Sequence, residues 1–399
     1  MSFFKSVEAK TAFRLGSICS ISYLVVYISR NILSAVSPDL IKYEIFNEAQ
    51  LGVLSMVFFF CYAIGQLING IIGEKIKAGY MISFGQIIAG LCNIAFVVFL
   101  NPILNIITYG LWGFSLSMIY APMTKVVSEN TSTKLASLCC MTFTFSALFG
   151  SPLAGIIALI FNWKYSFFAS GGLLVGMGLI TLLVFTVMEK KGIVKYNQFK
   201  SATKEKGSLS VLFENRIVRF SIIALLTGVV RTSVVFWIPT YTSTYLGYSE
   251  DTSKILFTII TLAISFAPFL AAYINSKFFK NNVYNTLLLS FITSAVAFLG
   301  MYFIKNPVVN LIIMFLAIFT SKLADAMLWS FYCPSLKHTG MVSTATGTLD
   351  FFSYFGAAIS TYVFGDIALK IGWGNLILIW FAIMFIGIFF SFTPKKKTV

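Results

Sequence analysis

The stretch Arg30-Asn-Ile-Leu-Ser-Ala-Val-Ser-Pro38 puts an arginine deep inside a long apolar segment, eight residues before a proline. The chain repeats this arrangement 201 residues later, in Arg231-Thr-Ser-Val-Val-Phe-Trp-Ile-Pro239. A guanidinium stays charged at physiological pH, and placing it at the centre of a bilayer costs at least about 2.5–3.5 kcal/mol on insertion scales. Two such charges at equivalent points of two halves predict a shared anion site near mid-membrane, in an architecture typical of transporters.

Composition places the chain in a membrane. Of its 399 residues, 58% are hydrophobic and 11% are charged, whereas soluble domains carry roughly 25% charged residues. The six cysteines all fall within apolar segments and lack metal-ligand spacing, so they are interpreted as buried free thiols. They are residues 19, 61, 92, 139, 140 and 333. We therefore expect no metal and no cofactor, and residues 1–12 are too polar for a cleavable signal peptide.

Twelve apolar segments have the length that crosses the hydrocarbon core of a bilayer. They lie near 13–36, 50–73, 79–99, 104–127, 134–161, 165–188, 216–243, 253–275, 284–304, 307–332, 341–368 and 373–392.

The basic residues predict the orientation of these segments. With the N-terminus inside, outer loops hold five of the 29 Lys and Arg residues, namely Lys42, Lys164, Lys254, Lys305 and Lys370. Three lie within the membrane, Arg30, Arg231 and Lys322, and the other 21 lie in cytoplasmic segments and at helix ends. Both termini are therefore predicted to be cytoplasmic, in a plasma membrane of the bacterial inner-membrane type. The net charge of +15 is then a topology signal and an attraction to lipid head groups, so nucleic acid is not expected as a partner.

A polar, basic segment at 189–215 divides the chain into two parts. The prediction is two six-helix bundles, 1–188 and 216–399, joined by this segment as a cytoplasmic linker. Lys75 and Lys277 follow the second and eighth spans and lie 202 residues apart, nearly the same offset as the arginines. This weak internal symmetry favours two parallel repeats in an all-α protein, which we expect to be a monomer.

At Gly70-x3-Glu74-Lys75 the chain resembles the major facilitator superfamily, whose motif after the second span is Gly-x3-Asp-Arg/Lys-x-Gly-Arg/Lys-Arg/Lys. Here Glu74 replaces the Asp, Lys77 stands at the Gly position and Ala78 replaces a basic residue. The resemblance implies the twelve-helix fold of that superfamily. Without it, Glu74 and Lys75 would be an interfacial charge pair.

The two arginine stretches resemble the organophosphate:phosphate antiporters, the exchangers of glycerol 3-phosphate and hexose 6-phosphate. The stretch from Tyr23 to Pro38 is similar to their helix 1 pattern, Tyr-x3-Tyr-x2-Arg-Lys-Asn-x5-Pro. The stretch from Arg231 to Tyr241 is similar to their helix 7 pattern, Arg-x5-Trp-Ser-Pro-Thr-Tyr. The resemblance implies an exchanger whose two arginines grip a phosphate.

The chain departs from that family at several positions around the arginines. Asn31, Gln66 and Thr144 stand where the family has a lysine, a second lysine and a histidine. Gly228 replaces a tyrosine, whereas Lys125 retains the charge of a helix 4 arginine. The chain thus keeps the arginine pair and differs from the family in several polar residues around it.

Each arginine has two interpretations. A planar guanidinium donates two parallel hydrogen bonds to an oxyanion, which favours ligand binding. Alternatively, each arginine pairs with a buried carboxylate and locks helices together, with Asp325 and Asp350 as candidates. Lys322 and Asp325 lie three residues apart on one helix face, either as a self-neutralising pair or as a pair that lines the site. Asp350 could carry a proton or pair with Lys322 or Arg231.

Tyr23 and Tyr27 precede Arg30 by seven and three residues and should share its helix face, where their hydroxyls bind substrate or bridge helices. The predicted substrate-binding residues are Arg30, Arg231, Tyr23, Tyr27, Asn31, Gln66, Thr144, Lys322 and Asp325. The predicted coupling or gating residues are Asp325, Asp350, Glu74, Lys75 and Lys125.

The sequence therefore predicts a carrier without covalent chemistry, and not an enzyme. The favoured function is exchange of a small organic anion, most simply a phosphorylated metabolite, by alternating access. A proton-coupled symporter of sugar acids or other carboxylates is the first alternative, although Ser29 stands where such symporters often have an Asp. The second alternative is a sugar-phosphate sensor that transports nothing.

Overall fold

A computed structural model describes residues 7–46, 48–99, 101–196 and 209–392, and these are helical with short connections. In the first half the α-helices are α1 (Val7–Lys42), α2 (Glu48–Ile72), α3 (Ala78–Val98), α4 (Pro102–Leu116), α5 (Tyr120–Asn130), α6 (Thr133–Ile160) and α7 (Trp163–Lys190). In the second half they are α8 (Leu209–Glu214), α9 (Ile217–Val229), α10 (Val235–Thr240), α11 (Glu250–Ile264), α12 (Ala267–Lys277), α13 (Val283–Phe303), α14 (Pro307–Met327), α15 (Cys333–Ser335) and α16 (Val342–Ser391). A kink at Gly372, whose φ is 81°, divides α16 into two helical parts. The all-α prediction is confirmed.

Asparagine side chains begin several of these helices. The Asn101 side chain accepts hydrogen bonds from the amides of residues 103 and 104 at the start of α4, and Asn306 does the same for residues 308 and 309 at the start of α14. Each is followed by a proline, whose fixed φ suits the first helical position. The two halves therefore use the same Asn-Pro signal to begin corresponding spans.

Nine helical segments among the described residues are long and apolar enough to cross a membrane. They correspond to nine of the twelve spans expected from the sequence. The other three expected spans, near 134–161, 216–243 and 341–368, are helical too, but several of their side chains lie outside the described part of the chain.

The described chain forms two compact units. The first comprises the described residues up to Asn215 together with Cys333–Phe351, and the second comprises Arg216–Tyr332 and the described residues from Phe352 onward. The bundle boundaries expected from the sequence, with a linker at 189–215, stay a prediction, and residues 197–208 of that linker lie outside the described residues.

In the first unit, the beginning of α16 packs backbone to backbone on the end of α2. A Cβ atom built at Gly70 would lie 2.9 Å from the Gly347 Cα atom, and one built at Gly347 would lie 2.7 Å from the Gly70 Cα atom. Real Cβ atoms do not approach so closely, so neither glycine accommodates a side chain without a shift of the helices. This contact brings residues 342–351 next to Gln66 and Glu74 of the candidate site.

We predict that Gly347→Ala destabilises the protein by about 1–3 kcal/mol, because the added methyl group forces α2 and α16 apart. Gly172→Ala is the matched control, since a Cβ at this mid-helix glycine meets no described atom within 4 Å. Alanine favours a helix over glycine by about 1 kcal/mol at both sites, so the control should be neutral or stabilised. Thermal unfolding of the two purified variants checks the prediction, and equal melting temperatures would contradict the tight contact.

Candidate functional site

In the first unit, the Arg30 side chain lies among aromatic rings of α1 and α2. Its guanidinium carbon is 5.3 Å from the Tyr27 ring centroid and 5.0 Å from that of Tyr62. Phe59 and Phe58 follow at 5.2 and 5.9 Å. The electron-rich ring faces stabilise the cation in this aromatic setting.

The tyrosines expected near Arg30 are placed as the helical spacing predicts. Tyr23 contacts Tyr27 edge to face at 5.0 Å between centroids, and on its other side it contacts the Tyr120 ring at 5.2 Å. The Asn31 amide donates to the carbonyl oxygen of Tyr27 at 2.6 Å, which ties it to its own helix. Tyr62 and the two phenylalanines were missed by the sequence analysis, although their spacing on α2 carries the signal.

Gln66 lies one turn after Tyr62 and is fully buried. Neither its amide nitrogen nor its amide oxygen has a hydrogen-bond partner among the described residues. Leaving a buried polar group unsatisfied costs about 1–3 kcal/mol, which favours a polar ligand contact for this side chain. The Thr144 side chain, also expected at the site, lies outside the described residues.

In the second unit, Arg231 lies in a π-helical turn, Val230–Val234, that interrupts the seventh expected span. Its Nη2 atom donates to the Ser353 hydroxyl at 2.9 Å, and its guanidinium carbon is 4.9 Å from the Tyr354 ring centroid. Its Nη1 atom lies 3.8 Å from Oδ1 of Asp325. Single π-turns are often found at functional sites, because they rotate a side chain out of the α-helical register.

Asp325 is the centre of a charge cluster in this unit. The Lys322 ammonium donates to its Oδ2 atom, and the indole nitrogen of Trp329 donates to Oδ1 at 2.9 Å. Asp325 is 1% exposed, whereas the Lys322 and Arg231 side chains are 15% and 21% exposed. Lys322 and Asp325 therefore form the ion pair that their spacing predicts, with Arg231 as a second cationic neighbour.

Gly228 explains how Ser353 reaches Arg231. A Cβ at Gly228 would lie 2.8 Å from the Ser353 Cα atom, so the two helices touch at this glycine. The aromatic ring beside Arg231 comes from Tyr354, on the neighbouring helix, rather than from position 228. Tyr354 was missed by the sequence analysis, because its contact with Arg231 depends on how helices pack. Trp329 was missed although it lies four residues after Asp325.

Asp350 is placed in the first unit, on α16, with 4% of its surface exposed. It lies within electrostatic range of the Cys333 thiol. The ion pairs found for Lys322 and Arg231 are with Asp325. The role of Asp350 as a proton carrier stays a prediction.

Glu74 and Lys125, expected as gating residues, form a buried ion pair at the end of α2. The Lys125 ammonium lies 3.2 Å from Glu74 Oε2 and donates to the carbonyl oxygens of Gly73 and Glu74 at 3.0 and 3.1 Å. Glu74 Oε1 accepts from the amide of Thr344 at 3.0 Å, in the first turn of α16, where a negative charge is favoured. Burial raises the pKa of the Glu74 carboxyl above its ordinary value, and Lys125 opposes that rise. Lys75 is exposed and lies outside this pair.

We predict that Lys322 and Asp325 act as one unit. Neutralising one partner removes the nearest counter-charge of the other, which costs up to about 3–5 kcal/mol, whereas neutralising both removes that cost. In Lys322→Met, Arg231 at 3.8 Å offsets part of the loss for Asp325. Expression and thermal stability of Lys322→Met, Asp325→Asn and the double variant check this coupling. A double variant whose losses equal the sum of the single losses would show two independent sites.

We predict that Lys125→Met destabilises the protein by about 3–5 kcal/mol at neutral pH, because the Glu74 carboxylate loses its counter-charge. The loss raises the folded-state pKa of Glu74 further, so stability should return as the pH falls and the carboxyl is protonated, and should be lost again as the pH rises through that pKa. Lys75→Met, at the exposed neighbour, is the control and should stay within about 0.5 kcal/mol. Unfolding measured at pH 5 and pH 8 tests both parts. A deficit that is the same at both pH values would contradict the electrostatic cause.

Comparison with known proteins supports the same fold. The family model of the Major Facilitator Superfamily matches residues 19–361. The chain is 22% identical over 402 residues to a probable hexose phosphate transport protein of Chlamydia muridarum, covering 92% of this chain and 87% of that protein. It is 21% identical over 283 residues to the membrane sensor protein UhpC of Salmonella typhimurium, covering 66% of this chain and 64% of that protein.

A solved structure shows the same architecture. The crystal structure of the Major Facilitator Superfamily transporter FucP, in the outward conformation, matches with a TM-score of 0.73 and 17% identity, over 96% of this chain and 100% of that one. The resemblance to the organophosphate:phosphate antiporters is also confirmed, because relatives with hexose phosphate and glycerol-3-phosphate names match over much of the chain. The family match and the all-helical fold together show that this chain belongs to the Major Facilitator Superfamily of membrane transporters.

Proposed function

We propose that this protein is a secondary active transporter that exchanges a phosphorylated metabolite for phosphate or another anion. The observation that carries the proposal is the charge cluster around Arg231. Asp325 is held by Lys322 and Trp329, and the Arg231 guanidinium stays 3.8 Å from it, beyond hydrogen-bond distance. A purely structural arginine would be expected to close onto its buried carboxylate.

The charges of this cluster favour an anionic substrate. Arg231 and Lys322 together with Asp325 leave one net positive charge in this cluster. Arg30 is a further cation, in the first unit, with aromatic rings around its guanidinium. Two positive charges match a phosphate monoester, which carries close to two negative charges at neutral pH. We propose that both arginines contact the substrate phosphate during transport, with Tyr27 and Gln66 as polar partners.

Exchange follows from the same charges. Without an anion, the excess positive charge in a low-dielectric setting opposes the conformational change between the two access states. An anion bound from either side relieves this cost and lowers the barrier. Asp325 neutralises the charge of Lys322 and leaves the positive charge of the arginines. We therefore still expect exchange rather than uniport.

Two alternatives have specific support. Asp325 and Asp350 are buried carboxylates that a proton-coupled symporter of sugar acids could use. The likeness to a protein named as a membrane sensor favours a non-transporting sensor of sugar phosphate. In each case we propose a multi-pass protein of a bacterial inner-membrane type, with cytoplasmic termini.

We predict that proteoliposomes loaded with unlabelled glucose 6-phosphate or phosphate take up labelled phosphate without a pH gradient. Arg30→Lys and Arg231→Lys should each lower this uptake by about tenfold or more, because a point charge replaces a planar, two-donor contact. Arg14→Lys, at an exposed position of α1, is the matched control and should exchange normally.

Other outcomes identify the alternatives. Uptake that requires an inward proton gradient and not an internal anion would indicate the symporter. Binding of glucose 6-phosphate in a thermal-shift assay without any flux would indicate the sensor. Normal exchange by Arg30→Lys would show that Arg30 is a structural cation.

A further inference from the structure

The Asp325 carboxylate is fixed to its own helical segment from two directions. Lys322, three residues earlier, donates to Oδ2, and Trp329, four residues later, donates to Oδ1 at 2.9 Å. Both donors follow from helical spacing, which brings residues three and four apart onto one face. The carboxylate therefore cannot turn toward another element without breaking a hydrogen bond.

The Arg231 guanidinium is fixed on the opposite side. Its Nη2 atom donates to the Ser353 hydroxyl at 2.9 Å, and the Tyr354 ring lies 4.9 Å from its central carbon. The gap from Nη1 to Asp325 Oδ1 is 3.8 Å. A charge-assisted hydrogen bond would be about 2.7–2.9 Å long, so the pair is held roughly 1 Å short of closing.

Both sides of the gap carry π-helical turns. Arg231 lies in Val230–Val234, and Trp329 lies in Leu328–Tyr332, directly after α14. Each turn inserts backbone that a regular α-helix would not have, and such turns are frequent at functional sites. A third π-turn, Tyr241–Tyr245, follows in the same unit. Of the two turns beside the gap, one thus carries the guanidinium itself, and the other carries the indole that donates to the carboxylate.

We propose that Trp329 is a positioning residue that sets the anion affinity of Arg231, by keeping the Asp325 carboxylate from closing onto the guanidinium. This rests on the proposed function, in which Arg231 contacts the substrate phosphate. The Asp325 carboxylate competes with that phosphate for the Arg231 guanidinium. At 3.8 Å it attracts Arg231 without a hydrogen bond, so an incoming phosphate oxygen does not have to displace one. Loss of the indole donor frees Oδ1 to accept from Arg231.

The same residue could act by packing alone, since Trp329 is 4% exposed and its indole is large. Trp329→Phe separates the two roles, because it removes the N–H donor and keeps a ring. Trp380→Phe is the matched control. Trp380 is 1% exposed in the same unit, and its indole nitrogen has no hydrogen-bond partner among the described residues.

The experiment measures how fast phenylglyoxal modifies Arg231, read by mass spectrometry of its peptide, in full-length protein purified in detergent. A guanidinium paired with a carboxylate reacts more slowly than one that is not, and this readout needs no substrate. We expect Trp329→Phe to slow the modification by roughly tenfold, the effect of one added charge-assisted contact, and Trp380→Phe to match the wild type. Ser353→Ala releases the guanidinium from the other side of the gap, and should slow the modification in the same direction.

A variant that lacks the Asp325 carboxylate completes the test. In Lys322→Met/Asp325→Asn there is no carboxylate at residue 325 to close onto Arg231, so adding Trp329→Phe should leave the rate unchanged. A rate in Trp329→Phe and Ser353→Ala equal to that of the wild type would overturn the inference. So would an equal slowing in the neutral background, which would assign Trp329 to packing. If Trp329→Phe does not fold, Trp329→Met takes its place, since it also lacks the indole donor.

Inorganic phosphate added to the wild type tests the proposed function separately. Protection of Arg231 by phosphate is expected, and Trp329→Phe should need roughly tenfold more phosphate for the same protection. Absence of protection in the wild type, with the slower modification of Trp329→Phe retained, would reject phosphate binding at Arg231 and keep the positioning role.

Discussion

The cost of burying charge governs this protein. A cation in an apolar segment has to find an anion, an aromatic face or a ligand, because it cannot be solvated there. The described residues combine these solutions. Lys322 and Lys125 each pair with a carboxylate, and Arg30 packs against aromatic rings. Arg231 donates to a serine hydroxyl, with its Nη1 atom 3.8 Å from Asp325 Oδ1. The fold has to hold these side chains in place, and the closely packed helices and π-turns around them do so.

Much of this could be predicted from the sequence. Two arginines in equivalent apolar stretches, the positive-inside pattern and the constant offset between repeats indicate the fold class, because they follow from bilayer thickness and charge alone. The Lys322–Asp325 pair could be predicted equally well, since residues three apart on a helix share a face. Tyr27 beside Arg30 follows from the same rule.

Contacts across helices could not be predicted in this way. Ser353 reaches Arg231 because Gly228 has no side chain, and a missing side chain gives no chemical signal in a sequence. The π-turns at Arg231 and Trp329 shift the register that a 3.6-residue period assumes, so periodicity misplaces the faces beyond them. Gln66 appears in the sequence only as a departure from a family pattern, and the structure adds that its amide is buried without a described partner.

The hydrogen bond from Trp329 to Asp325 also has an optical consequence. Indole is the strongest natural fluorophore in proteins, and its emission depends on charges near the ring. Here one such ring donates to a carboxylate, with the Arg231 guanidinium 6.0 Å from its centroid. Any event that moves the guanidinium or neutralises the carboxylate changes the electric field across this indole. The cluster therefore contains an intrinsic reporter, and the difference in emission between the wild type and Trp329→Phe isolates it from the other five of the six tryptophans.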